Sequence, residues 1–333
     1  MQAVAENVAA PSGPVAGVVW AFRFHADGRA DPLAAGAPLD PQDGWIWLHI
    51  NLADTRACQW LKEADVLPAA RALLLSTDNY QQIHATDDCV YGVFADLVRD
   101  LDHPSDDIGF LRFAMTEQLL ISARRHPLQS VAAARQAVEA GRRLHSVSGL
   151  LEAIVEHAAE GIDRITDTLA SELDAIEESV LAAALTDERQ KLGRVRRTTV
   201  RLHRQLLGLR TLFHRIEREG TGDLKPALCL AAGRLAQRLD GLDHEIVAMR
   251  ERGRLLQEEI AAKLAEETSR RLHALSILTA LFLPATLIAG LWGMNVKGVP
   301  FSEGESGFWW ASAVAVASSI VVYFTIRRLS TLR

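Results

Sequence analysis

Cysteine is scarce in this chain of 333 residues: Cys58, Cys89 and Cys229 lie far apart and form no CxxC pair. That excludes a disulfide framework and a thiolate zinc site, and it fits a reducing compartment. Met1 to Val19 contains no Lys or Arg, so the basic n-region of a signal peptide is missing. Residues 1–16 read instead as a disordered leader. A basic surplus is absent too, and the net charge of −6 argues against a nucleic-acid binder. The eleven histidines form no HxH or HxxxH pair. No nucleophile motif, phosphate loop or pair of catalytic carboxylates stands out, so neither an enzyme nor a resident cofactor is expected.

Charge is also missing, locally, from the C-terminal tail. From Leu272 to Trp292 the only ionisable residue is His273, and the run is long enough to cross a hydrocarbon core of ~30 Å. A second run, Phe308 to Ile326, has no charge at all. Two membrane-spanning helices are expected, 272–292 and 308–326, joined by an extracytoplasmic loop over 293–307. Pro284 lies inside the first and predicts a kink. Arg270 and Arg271 precede the pair and Arg327, Arg328 and Arg333 follow it, while the loop has only Lys297. Both termini, including the basic tail 327–333, are therefore expected in the cytoplasm.

The body reads as two parts. Residues 17–145 alternate apolar runs with turns: VVWAFRFH, WIWLHINL, CVYGVFADLV, IGFLRFAMT and QLLISARR predict strands. Thr55 to Ala64, Pro68 to Ser76 and the segment QSVAAARQAVEAG predict helices, giving a mixed α/β cytoplasmic domain. Residues 146–271 predict long helices broken near Leu185-Thr186 and at GTGDLKP, residues 220–226. Leu151 to Glu188 holds eleven acidic residues and one basic one, whereas Arg189 to Arg218 holds ten basic and one acidic. Two readings stand: solvated faces that attract one another, or an acidic surface gathering cations near a pore. Leu235, Leu239, Leu242, Ile246, Met249, Gly253, Leu256 and Ile260 then keep a heptad spacing. That predicts a stalk running into the first span as one helix of ~65 residues, roughly 100 Å long.

Two spans cannot enclose an aqueous path alone, so transport requires an oligomer. Leu272, Ser276, Thr279, Leu283, Thr286 and Gly290 share one face of the first span. Such a stripe suits pore lining or helix packing, and both can coexist in a ring. No carboxylate lies in either span, so a divalent ion there keeps its hydration shell. Asn295, in a loop with Gly293 and Gly298, offers neutral oxygens at the outer mouth.

PATLIAGLWGMN, residues 284–295, resembles the end of the first transmembrane helix of the CorA-type metal ion transporters, including their Gly-Met-Asn signature. The resemblance implies an α+β cytoplasmic domain with αβα layering, long stalk helices and two C-terminal transmembrane helices. It also implies a funnel-shaped homopentamer in the lipid of a bacterial inner membrane, with divalent cations as its other partners. By that likeness Gly293, Met294 and Asn295 form the ion entrance. Leu272, Leu275, Thr279, Leu283 and Thr286 then face the pore, with Leu272 and Leu283 as hydrophobic constrictions. WGMNV, Pro300 followed by Phe301 rather than an acidic residue, GFWW at residues 307–310 and HPLQSVAAARQ at 126–136 resemble the ZntB-like zinc branch. The transported ion implied is Zn2+, with Mg2+, Co2+, Ni2+ or Cd2+ as alternatives and the magnesium or cobalt channel as the second reading.

Lys297 adjoins the proposed entrance, and Glu303 and Glu305 share its loop. His273 is the histidine nearest the conduction path and the candidate for metal contact. Asp240, Asp243 and His244 form a weaker cluster, since neighbouring side chains on a helix diverge. A reading of another class remains, in which the heptad stalk dimerises and the spans anchor a membrane scaffold or signalling protein.

Overall fold

The computed structural model describes residues 17–34, 37–40, 44–86, 88–99, 107–182, 187–219, 226–294 and 307–330. The chain divides into two compact units, Met1–Leu255 and Leu256–Arg333.

The first unit is built on a mixed sheet. Its strands are β1 (Val18–Phe24), β2 (Ala30–Pro32), β3 (Trp45–Asn51), β4 (Gln82–Ala85), β5 (Val90–Leu97), β6 (Ile108–Met115) and β7 (Leu119–Arg124). They lie in the order β2-β1-β3-β7-β6-β5-β4, and β3 with β7 is the parallel pair. The five apolar runs read as strands all form strands. The two that the sequence hid, β2 and β4, are three and four residues long and sit at the sheet edges. Short polar edges of this kind prevent further strand pairing, and they leave little hydrophobic signal.

Central strands covered on both faces need apolar residues at consecutive positions. Trp45 to Ile50 are accordingly all buried. Ile46, Leu48 and Ile50 share one core with Leu61 and Leu74 of α1 (Thr55–Glu63) and α2 (Pro68–Leu75). On the opposite face Trp47 and His49 pack against Trp20, whose ring carries the Arg135 guanidinium of α3 (Gln129–Glu139) 4.8 Å from its centre. The layering is therefore αβα. His49 is fully buried, and desolvation holds its pKa well below the ordinary value, with Arg124 and Arg135 adding to the effect. Its Nε2 accepts from Arg124 Nε at 3.0 Å, so Nδ1 carries the proton and donates to Ser122 Oγ at 2.8 Å.

α3 lacks a capping side chain at Leu128. Asp96 on β5 takes that place: its carboxylate accepts from Ser130 N at 3.1 Å and Ser130 Oγ at 2.6 Å. A side-chain acceptor is needed there because the first turn of a helix has backbone donors without partners. Burial pushes the Asp96 carboxyl up to about 6, against the downward pull of the Ser130 and Leu97 hydrogen bonds.

Four long helices follow: α4 (Val147–Leu181), α5 (Glu188–Glu219), α6 (Pro226–Trp292) and α7 (Gly307–Ser330). The heptad stripe of α6 is not a free seam for a second chain. Leu235, Leu239, Leu242, Ile246 and Met249 are buried within the chain. Met249 Sδ lies 3.7 Å from Thr199 Oγ1 of α5, and a Cβ at Gly253 would stand 3.8 Å from Leu192 and 3.9 Å from Leu173. Heptad spacing records that a helix packs against helices, and the partners here are α4 and α5 of the same molecule.

The charge asymmetry is resolved largely by α6. Acidic α4 meets basic α5 directly at Glu172–Arg194, 3.3 Å apart. Otherwise Arg234 of α6 takes Glu152, and Arg252 takes Asp174 and Glu177. From the other side Asp240 and Asp243 of α6 receive Arg210, His203 and His214 of α5. Exposed pairs of this kind add about 0–1 kcal/mol each. Arg210 is worth more because it neutralises Asp243, which is buried. Arg210→Ala is expected to lower unfolding stability by about 2–3 kcal/mol, with Asp243→Ala in the same chain recovering part of the loss. Denaturant titration of the two variants checks this, and equal, additive losses contradict it.

Candidate permeation path

The second unit holds the C-terminal part of α6 and all of α7. Both helices are long and apolar enough to cross a membrane. At 3.6 residues per turn, one side of α6 is covered and the rest of its circumference is exposed, Leu278, Phe282 and Leu287 being 51%, 58% and 62% exposed. Ile277, Ala280, Leu281, Pro284, Ala285, Ile288 and Trp292 are partly covered. Their cover is α7, because Ser319 Oγ donates to the Leu281 carbonyl at 3.0 Å and a groove between the helices is lined by Leu281, Ala285, Ala315 and Ile320.

On α7 the matching half-buried positions include Ala311, Ala315 and Ser319. Small residues four apart let helix backbones approach closely where no hydrophobic drive exists between helices in lipid.

Leu272, Ser276, Thr279, Leu283, Thr286 and Gly290 fall on the other face, centred roughly 160° away around the helix. All six are exposed. Leu272 and Leu283 are 59% and 61% exposed, a large apolar surface for one chain to leave bare. Leu275, 58% exposed, lies at the edge of this stripe. The two threonine hydroxyls of the stripe are already committed as donors: Thr279 Oγ1 bonds to Leu275 O at 2.9 Å, and Thr286 Oγ1 to Phe282 O at 2.9 Å. A hydroxyl whose proton is held by its own helix presents only acceptor lone pairs outward. Acceptor oxygens suit the water shell of a cation.

At the end of α6, Gly293 N donates to Ala289 O at 2.9 Å and Met294 N to Leu291 O at 3.4 Å, so the helix closes on these two residues. Asn295, Lys297, Glu303 and Glu305 lie outside the described residues. His273 is exposed and roughly a quarter turn from the stripe. Among the described residues no group of three or more His, Cys, Asp or Glu side chains is arranged to hold a metal ion. Asp240 and Asp243 are engaged by Arg210, and His244 Nδ1 donates to the Asp240 carbonyl of its own helix at 2.7 Å. The stalk cluster is thus an ion-pair network.

The model of the CorA-like Mg2+ transporter protein family matches residues 42–328. The chain belongs to the CorA-like family. This CorA-like chain is 26% identical over 304 residues to the zinc transport protein ZntB of Cronobacter sakazakii, covering 89% of each chain. It is 25% identical over 325 residues to the divalent cation transporter CmaX of Pseudomonas aeruginosa, covering 96% of itself and 98% of that protein. The solved full-length structure of a CmaX protein superposes with a TM-score of 0.79 at 26% identity, covering 96% of this chain and 100% of that one. These relatives put the CorA-like chain in the ZntB-like branch, as a divalent cation transporter and not an enzyme.

Proposed function

We propose that five copies of the chain form a pore lined by the uncovered stripe of α6, through which hydrated Zn2+ crosses a bacterial inner membrane. The observation that carries this reading is the opposition of faces. α7 covers the side of α6 that carries Leu281 and Ala285, and the stripe from Leu272 to Gly290 is left for something other than α7. Its neutral acceptors hold a hydration shell loosely, as throughput requires. Leu272 and Leu283 act as hydrophobic constrictions, and Gly293, Met294 and Asn295 form the entrance. Both termini face the cytoplasm, following the arginines that flank the spans.

Zinc is supported by the ZntB relative, which is a zinc transport protein. The family description favours a magnesium reading, and neutral oxygens do not choose between the two. The anchored-scaffold reading loses its basis, because the heptad stripe it needed is occupied inside the chain.

Purified protein in liposomes loaded with a zinc-sensitive dye tests the proposal, with parallel vesicles carrying a magnesium dye and vesicles with and without a pH gradient. Saturable zinc entry exceeding magnesium entry is expected. Faster magnesium than zinc flux transfers the assignment to the magnesium channel, and a purified dimer passing neither ion ends the transport reading.

A further inference from the structure

We propose that Ser319 is a positioning residue for permeation, a latch that holds the proline turn of α6 against α7; this rests on α6 lining the path. Pro284 is the only proline inside α6. It has no N–H for the carbonyl four residues earlier, that of Ala280, and its ring crowds the same turn. The backbone carbonyls of that turn are therefore the weakest point of the helix. In a membrane no water replaces the missing donor, and a neighbouring serine is one of the few groups that can engage such carbonyls.

Ser319 engages the next carbonyl of that turn, Leu281 O, one residue after the one Pro284 leaves without a donor. Its hydroxyl lies 3.0 Å from Leu281 O across the helix interface and 3.1 Å from Ala315 O on its own helix. A serine has one proton and two acceptors compete for it, so on release the hydroxyl keeps a partner in Ala315 O and the Leu281 carbonyl is left to its own helix. Beside it runs an apolar groove of about 540 Å³, lined by Leu281, Ala285, Ala315 and Ile320 among others.

The direction of the effect follows from the faces. Leu281 is on the side of α6 turned to α7, and Leu283 is on the opposite stripe. A bond that draws the Leu281 carbonyl toward α7 draws the Leu283 constriction away from the space the stripe faces. Releasing it lets the proline turn relax the other way and narrows the path.

Zinc flux in liposomes is measured for Ser319→Ala, Ser319→Thr and both changes combined with Pro284→Ala. The α6–α7 spacing at the proline turn is followed in the same proteins by spin labels. Ser319→Ala is expected to cut flux about fivefold and to shift the spacing, with oligomer size unchanged. Ser319→Thr restores flux to within about twofold, because its hydroxyl occupies the same place. With Pro284→Ala the Ala280 carbonyl regains its donor and the turn is held by its own helix, and Ser319→Ala then changes flux by less than about twofold. A Ser319→Ala protein with unchanged spacing overturns the latch. So does an equal flux loss with and without Pro284, which marks a general packing defect. A shifted spacing with unchanged flux shows instead that α6 does not line the path, which overturns the pore reading and with it the role of Ser319 in permeation.

Discussion

Leu283→Lys is expected to lower divalent cation flux by at least about 100-fold. A lysine ammonium about 5 Å from a divalent ion raises the ion's energy by about 2 kcal/mol even at the dielectric of water, and every copy of the chain around a shared path contributes again. The neutral change Leu283→Ser supplies the control. It removes the apolar constriction without adding charge, so flux is expected to stay the same or rise. Initial rates of zinc entry into vesicles, normalised to reconstituted protein, check both. Loss of flux in both variants to the same degree contradicts a path past Leu283 and points to a packing role for that side chain.

The second large effect lies in the first unit. Asp96 has an ordinary carboxyl pKa of 3.8 when unfolded, and burial raises it to about 6 in the fold. The folded chain therefore holds a proton that the unfolded chain releases, between pH 4 and 6. The stability this contributes is complete below about pH 4 and is lost as pH rises through 6, at a cost of about 3 kcal/mol by pH 7.5. Asp96→Asn cannot titrate. Its stability relative to the natural chain is expected to climb by about 3 kcal/mol between pH 4 and pH 7.5, whatever fixed offset the amide introduces. Parallel pH curves for the two proteins, followed by denaturant unfolding with tryptophan fluorescence, contradict the buried cap. Asp96→Ala, which leaves the Ser130 N–H and hydroxyl without their carboxyl acceptor, is expected to be less stable than the natural chain by about 2 kcal/mol at every pH below 6.

These two residues mark what was legible in the sequence. Leu283 belongs to a run without charge, and its face follows from helical spacing alone. The same holds for the five apolar strands, whose runs are long because both sheet faces are covered. Asp96 sits in CVYGVFADLV as one acid among apolar neighbours, and nothing local says that it caps a helix starting more than thirty residues later. β2 and β4 escaped because edge strands are short and polar. The heptad stripe of α6 was seen, but spacing cannot say whose helices fill it, and the fold gives it to α4 and α5. Ser319 is one small residue in an apolar span, and only the fold sets the Leu281 carbonyl opposite it.

The path along α6 is tested most directly by thiol accessibility. With Cys58, Cys89 and Cys229 replaced by alanine, single cysteines are placed at positions 272, 276, 279, 283, 286 and 290, and at 277, 281 and 288. Each protein is treated in liposomes with a membrane-impermeant thiol reagent, with and without zinc. The first set is expected to react and to be slowed by zinc, and the second set to stay unreactive against α7. Reaction confined to 277, 281 and 288, or no reaction at any stripe position, contradicts a water-filled path along that face.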